Sequence, residues 1–146
     1  MKHNLILKII AKFLIPLIFL FALYVQFHGD FGPGGGFQAG VIFSAGLILY
    51  TLVFGVETAK KIIPPFVLRL LASLGVLIYA GTGIVGLVLG GKYLEFSVLG
   101  STRVAGQHLG IVVVELGVGM TVMSAMLLIF FAFAERGQSQ EPLNKS

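Results

Sequence analysis

The sequence predicts an all-α integral membrane protein built as a bundle of four transmembrane helices, and three observations carry that prediction. Of 146 residues, 57% are hydrophobic and 11% charged, and the mean hydropathy is +1.00; a soluble domain carries roughly 25% charged residues to cover its surface. Four apolar runs, at about 5–27, 37–56, 66–89 and 108–133, each approach or exceed the roughly 20 residues a helix needs to cross hydrocarbon. Runs such as LIPLIFLFALYV do not alternate in polarity, as barrel strands of about ten residues would.

The first run follows Lys2, Lys8 and Lys12. It is too long for a signal peptide and ends without a small-x-small cleavage pattern, so it reads as a retained span. Pro16 within it removes one N–H and is expected to kink the helix unless neighbours satisfy the freed carbonyl. The connection that follows, HGDFGPGGGFQAG over residues 28–40, has six glycines in thirteen residues. Pro33 fixes one φ angle, and Gly34, Gly35 and Gly36 before Phe37 are free to take positive φ in a tight turn. That turn lets the second helix start close against its neighbours, or lines an ion mouth beside His28 and Asp30. It is no phosphate loop, since the Lys-Ser/Thr of that motif is missing and no strand precedes it.

The second, third and fourth runs carry small residues at helical spacing: Gly36, Gly40 and Ser44; Thr82, Gly86 and Gly90; Gly117, Thr121 and Ala125. Such rows let helix backbones approach closely where lipid supplies no hydrophobic drive, so each is expected to face another helix. Lys2, Lys8, Lys12, Lys60, Lys61, Arg69, Arg136 and Lys145 fall on one side of the spans and Lys92 and Arg103 on the other, eight against two. The N and C termini are therefore expected in the cytoplasm. Residues 1–136 form one transmembrane domain, and 137–146 are expected to be a flexible, polar cytoplasmic tail.

The absence of cysteine excludes disulfides, thiolate-bound zinc, iron–sulfur ligation and a cysteine nucleophile. No metal or other cofactor is expected. Lysines and arginines scattered at helix ends form no patch for nucleic acid, despite a net charge of +4. The four runs differ in composition and show no internal repeat, which argues against a complete inverted-repeat carrier.

Glu115, in VVVELGVG, is the only acidic residue well inside a span. A carboxylate at the bilayer centre costs about 2.5–3.5 kcal/mol on the insertion scale, so it must face the bundle, a partner or water, and a protonatable role suits it. His108 lies seven residues earlier, on nearly the same helix face and about 10 Å nearer the outer surface. The pair marks a candidate polar path; the plainer reading is a hydrogen-bonded structural glutamate and a histidine at headgroup level. A bis-imidazole haem between His28 and His108 is a more distant alternative.

The run His28-Gly-Asp-Phe-Gly-Pro-Gly-Gly-Gly-Phe37, the four-span layout, and GQHLGI through ELGVG over residues 106–119 resemble the B subunit of Mrp-type multisubunit sodium/proton antiporters, the MnhB/MrpB family. The resemblance covers about residues 5–135. Asp30 stands where many relatives have a second histidine, so no role of that histidine carries over. The resemblance implies a non-enzymatic small subunit of a hetero-oligomeric complex in the bacterial or archaeal cytoplasmic membrane, exchanging sodium or another monovalent cation for protons. In that setting Glu115 is the first candidate for the ion path, with His108, Asp30 and His28 behind it. Similar B-like subunits occur in membrane-bound hydrogenase assemblies, and a purely assembling subunit is the further alternative.

Overall fold

In the computed structural model, residues 2–29 and 34–140 are described, with side chains over 5–29 and 34–137. The chain forms α1 (Lys2–His28), α2 (Gly36–Phe54), α3 (Val56–Ile62), α4 (Pro65–Val88) and α5 (Arg103–Gln140), with one 3-10 turn at Phe96–Val98. Four helices are long and apolar enough to span a membrane: Leu5–His28, Gly36–Phe54, Pro65–Val88 and Arg103–Gly137. The protein is thus an all-helical, multi-pass membrane protein, as the apolar runs imply. Helix α1 continues through Pro16.

Several boundaries differ from the sequence reading, and at the C-terminal end α5 runs on to Gln140, so residues 137–140, expected to begin a flexible tail, are helical. The second span stops at Gly55, whose φ of 96° turns the chain, and residues 56–62, expected to be mostly connection, form the short helix α3. Glu57 in its first turn and Lys60 and Lys61 in its last complement the helix dipole at both ends. The connection between α4 and α5 is also shorter than the expected 90–107, because α5 starts at Arg103. With 38 residues, α5 is about 57 Å long at 1.5 Å per residue and outreaches the hydrocarbon.

Helix α5 is the centre of the arrangement. Helices α2 and α4 pack on it from two sides, α1 packs mainly on α2, and the connection around Phe96 folds onto the start of α5. Helices α2 and α5 run in parallel. Gly36 faces Glu115, Gly40 faces Gly119 and Val122, and the Ser44 hydroxyl lies 3.5 Å from Met126 Sδ. Helices α4 and α5 are antiparallel: Gly75 packs against Gly117 and Thr121, and the Thr121 hydroxyl donates to the Ala72 carbonyl at 3.3 Å. Gly36, Gly40 and Ser44 on α2 and Gly117 and Thr121 on α5 thus lie against neighbouring helices, whereas Ala125 is exposed. The row Thr82, Gly86 and Gly90 does not meet a helix. Tyr93 folds back over Gly83, Gly86 faces the carbonyls of Lys92 and Glu95, and nothing lies within 4 Å of Gly90, which ends its helix region at φ 86°. The connection occupies the groove where a helix was expected. At the other end of the molecule, Ala59, Leu68, Leu127 and Phe131 form a buried apolar cluster that ties α3 and α4 to α5.

Candidate functional site

Three glycines build a cradle for Glu115. The connection between α1 and α2 returns so tightly that the Gly35 N–H donates to the Val25 carbonyl at 3.3 Å, with Gly35 at φ 129°, a region that L side chains avoid. A β-carbon on Gly35 would lie 2.7 Å from Glu115 Oε1, and one on Gly29 would lie 2.9 Å from the same oxygen. At Gly36 a β-carbon would run into the Glu115 backbone carbonyl. The carboxylate thus fits against the turn only because side chains are missing there. The cradle also needs α5 in register, and that register is set one turn on, where a β-carbon on Gly40 would lie 2.7 Å from the Gly119 carbonyl.

Two carboxamides join the cluster that the sequence reading did not single out. Gln38 Oε1 lies 3.6 Å from the β-position of Gly35, and Gln26 Oε1 lies 2.9 Å from that of Gly119. Gly119 is one helical turn beyond Glu115, and the Gly36 carbonyl approaches its β-position to 3.0 Å. Glu115 is half-buried, and among the described residues no basic side chain forms an ion pair with it. Its surroundings offer oxygens and amides, a neutral polar environment level with the connection between α1 and α2, where the first span ends and the second begins. Beside it, a cleft of about 280 Å³ between α1 and α5 is lined by Gln26, Phe27, Phe43, Leu116 and Gly119, among others. No hydropathy pattern marks Gln26 or Gln38, since amides near helix ends are the expected residues of a membrane interface.

The other candidates fall at various distances from this cluster. His108 lies in the second turn of α5 and is exposed, two turns before Glu115 on nearly the same face. The His28 ring stacks on Tyr24 with centroids 5.0 Å apart, in a line continued by Phe21 and Tyr24 at 6.3 Å. Tyr24 is 59% exposed, so this line runs along the outer surface of α1. Asp30 and Pro33 lie outside the described residues. Gly34 packs on the Val25 carbonyl, while Phe37 is exposed, turned away from the α2 face that Gly36 and Gly40 press onto α5. Among the described residues no group of three or more His, Asp or Glu side chains is placed to hold a metal ion.

The family model described as a domain related to the MnhB subunit of Na+/H+ antiporter matches residues 6–128. A protein of Staphylococcus haemolyticus (strain JCSC1435), which carries the provisional name antiporter subunit mnhB2, is 32% identical over 142 residues, covering 92% of this chain and 97% of that protein. A protein of the same provisional name from Staphylococcus aureus (strain Newman) is 30% identical over 138 residues, covering 92% of this chain and 97% of that one.

Proposed function

The chain belongs to the family of the MnhB subunit of Na+/H+ antiporters, and from that premise we propose that it works as an integral-membrane subunit of a multisubunit sodium/proton antiporter in the bacterial cytoplasmic membrane. Its partners are the other subunits of that complex and the lipid around them. It performs no covalent chemistry and uses no cofactor; sodium, or another monovalent cation, and protons are the cargo. The driving force is the proton and voltage gradient, worth about 2.3 kcal/mol for each charge moved through 100 mV.

One observation carries the reading that this subunit borders the ion route. A carboxylate inside a span is held against a glycine turn and flanked by Gln26 and Gln38, with no basic partner among the described residues. Such a group attracts a monovalent cation or exchanges a proton, and the amide and carbonyl oxygens around it supply the hard ligands that sodium prefers. His108 acts as a secondary polar contact two turns nearer the outer surface, and Asp30 draws cations to the mouth. Both termini lie in the cytoplasm under this reading, because eight basic residues oppose two.

A second reading is supported by the fit of Gly36 and Gly40 onto the backbone of α5: a scaffold in which Glu115 serves packing alone. Sodium-dependent proton exchange in vesicles from antiporter-deficient cells expressing the whole complex separates the two. With complex assembly matched, Glu115→Gln is expected to abolish exchange if the carboxylate borders the route. Exchange equal to wild type assigns the subunit to scaffolding.

A further inference from the structure

At the end opposite Glu115, a cavity of about 250 Å³ lies among α1, α2, α3 and α5, lined by Ile15, Phe19, Thr51, Ile62, Leu127 and Phe131, among others. Its floor is buried, with Thr51 2%, Ala59 5% and Leu127 1% exposed, whereas Ile62 at its rim is 60% exposed. The space therefore runs from the interior to the surface beside α3. Water is a poor occupant, because an ordered water needs two to four polar partners and only Thr51 and Tyr50 among the lining side chains carry a polar atom, the Thr51 hydroxyl already donating to the Leu47 carbonyl at 2.8 Å. A void of this size leaves its lining without the dispersion contacts that close packing supplies. A flexible apolar chain fits the shape and the chemistry.

The rim supplies the second half of the argument. Lys61 adjoins Ile62, and on α1 Lys8 precedes Ile15 by seven residues and Lys12 precedes it by three, which places both on the side of α1 that lines the cavity, about 10 Å and about 5 Å beyond it along the helix axis. All three lysines are exposed. The carboxylates described at this end, Glu57 and Glu135, both engage Lys60, Glu57 at 3.8 Å. Lys8, Lys12 and Lys61 thus have no acidic partner among the described residues. A basic excess on this side follows from topology alone; what distinguishes Lys8 and Lys12 is their register with the α1 residues that line an apolar cavity, while Lys61 is the sequence neighbour of Ile62 at its rim.

We propose that this cavity binds one acyl chain of an anionic phospholipid, with the lipid phosphate held between Lys8 and Lys12 of α1 and Lys61 of α3. The lipid completes the contact of α1 with α3 and α5 at this end. The site is independent of the reading given for Glu115.

The test uses the whole complex in nanodiscs doped with phosphatidylglycerol carrying a photoactivatable acyl chain, with adducts mapped by mass spectrometry. Adducts are expected on the segments around Ile15–Phe19 and Leu127–Phe131. They are expected to fall by about fivefold for each of Lys8, Lys12 and Lys61 changed to Gln, from the roughly 1 kcal/mol that each basic residue contributes near an anionic surface. Ala59→Phe, which fills the cavity, is expected to remove them; should that variant fail to assemble, the lysine series decides. Absence of adducts on those segments overturns the proposal and points to a partner subunit's side chain as the occupant. Equal labelling by a phosphatidylcholine probe, or labelling unchanged in the triple lysine variant, overturns it as well.

Discussion

The close approach of α2 to α5 rests on single hydrogen atoms. A methyl group at Gly36 would meet the Glu115 carbonyl, which sits in a helix and cannot yield. Gly36→Ala is therefore expected to cost about 3 kcal/mol, the upper end of overpacking, read as a lower dissociation temperature of the complex and a loss of assembled protein. Gly81→Ala serves as the contrast. Gly81 has nothing within 4 Å of its β-position, and alanine there is expected to leave stability unchanged or raise it by up to about 1 kcal/mol through helix propensity. Ser124 gives the opposite kind of residue effect. Its hydroxyl is buried with no hydrogen-bond partner among the described residues, and an unsatisfied buried group costs about 1–3 kcal/mol. Ser124→Ala is expected to raise the dissociation temperature of the complex, and a fall would show that the hydroxyl has a partner supplied by another subunit.

Among the elements, the connection between α4 and α5 is held by a carboxylate. Glu95 accepts the Lys92 N–H at 2.9 Å and the Ser97 hydroxyl at 3.1 Å; these bonds, the backbone one first, hold its pKa below the usual glutamate value of 4.5. A lowered value in the folded state means that the contribution is present above the ordinary carboxylate range and lost as pH falls through the lowered value. Protection from hydrogen exchange over residues 91–98, taken relative to the intrinsic rate at each pH, is thus expected to fall below about pH 4.5 in wild type, while Glu95→Gln is poorly protected at neutral pH as well. This connection was illegible in the sequence for a physical reason: its fold depends on Tyr93 packing on Gly83, helped by Leu94 at φ 62°, and no local pattern encodes a tertiary contact. The rows Gly36–Gly40–Ser44 and Gly117–Thr121 were legible because a spacing of four repeats on one helix face. Gly75, equally close to α5, stands alone and shows no row. Helix α3 escaped because its seven residues are too few for a periodicity. The location of Glu115 in a span could be read directly, but its fit to Gly29 and Gly35 could not, since the two lie 80 and more residues away in sequence.

For the molecule as a whole, the four spans were legible because bilayer thickness sets one length for all of them, while their neighbours were not. Orientation is open to a direct check, because the chain has no cysteine and each introduced thiol reports alone. In intact cells, Lys92→Cys is expected to react with a membrane-impermeant maleimide and Lys61→Cys to react only after permeabilisation. The reverse pattern would invert the whole molecule and move the Glu115 cradle toward the cytoplasmic side. The central place of α5 has a consequence for biosynthesis. Chains fold in the order in which they emerge, and α5 emerges after the three spans it joins. The α1–α2 hairpin can form early, since those helices pack on each other, but α4 must wait in the bilayer with its Gly75 face uncovered until α5 is inserted between it and α2. For that interval α4 is the part of the nascent protein most open to quality-control proteases and to misplaced partners, and any ribosome stall before residue 103 leaves it there.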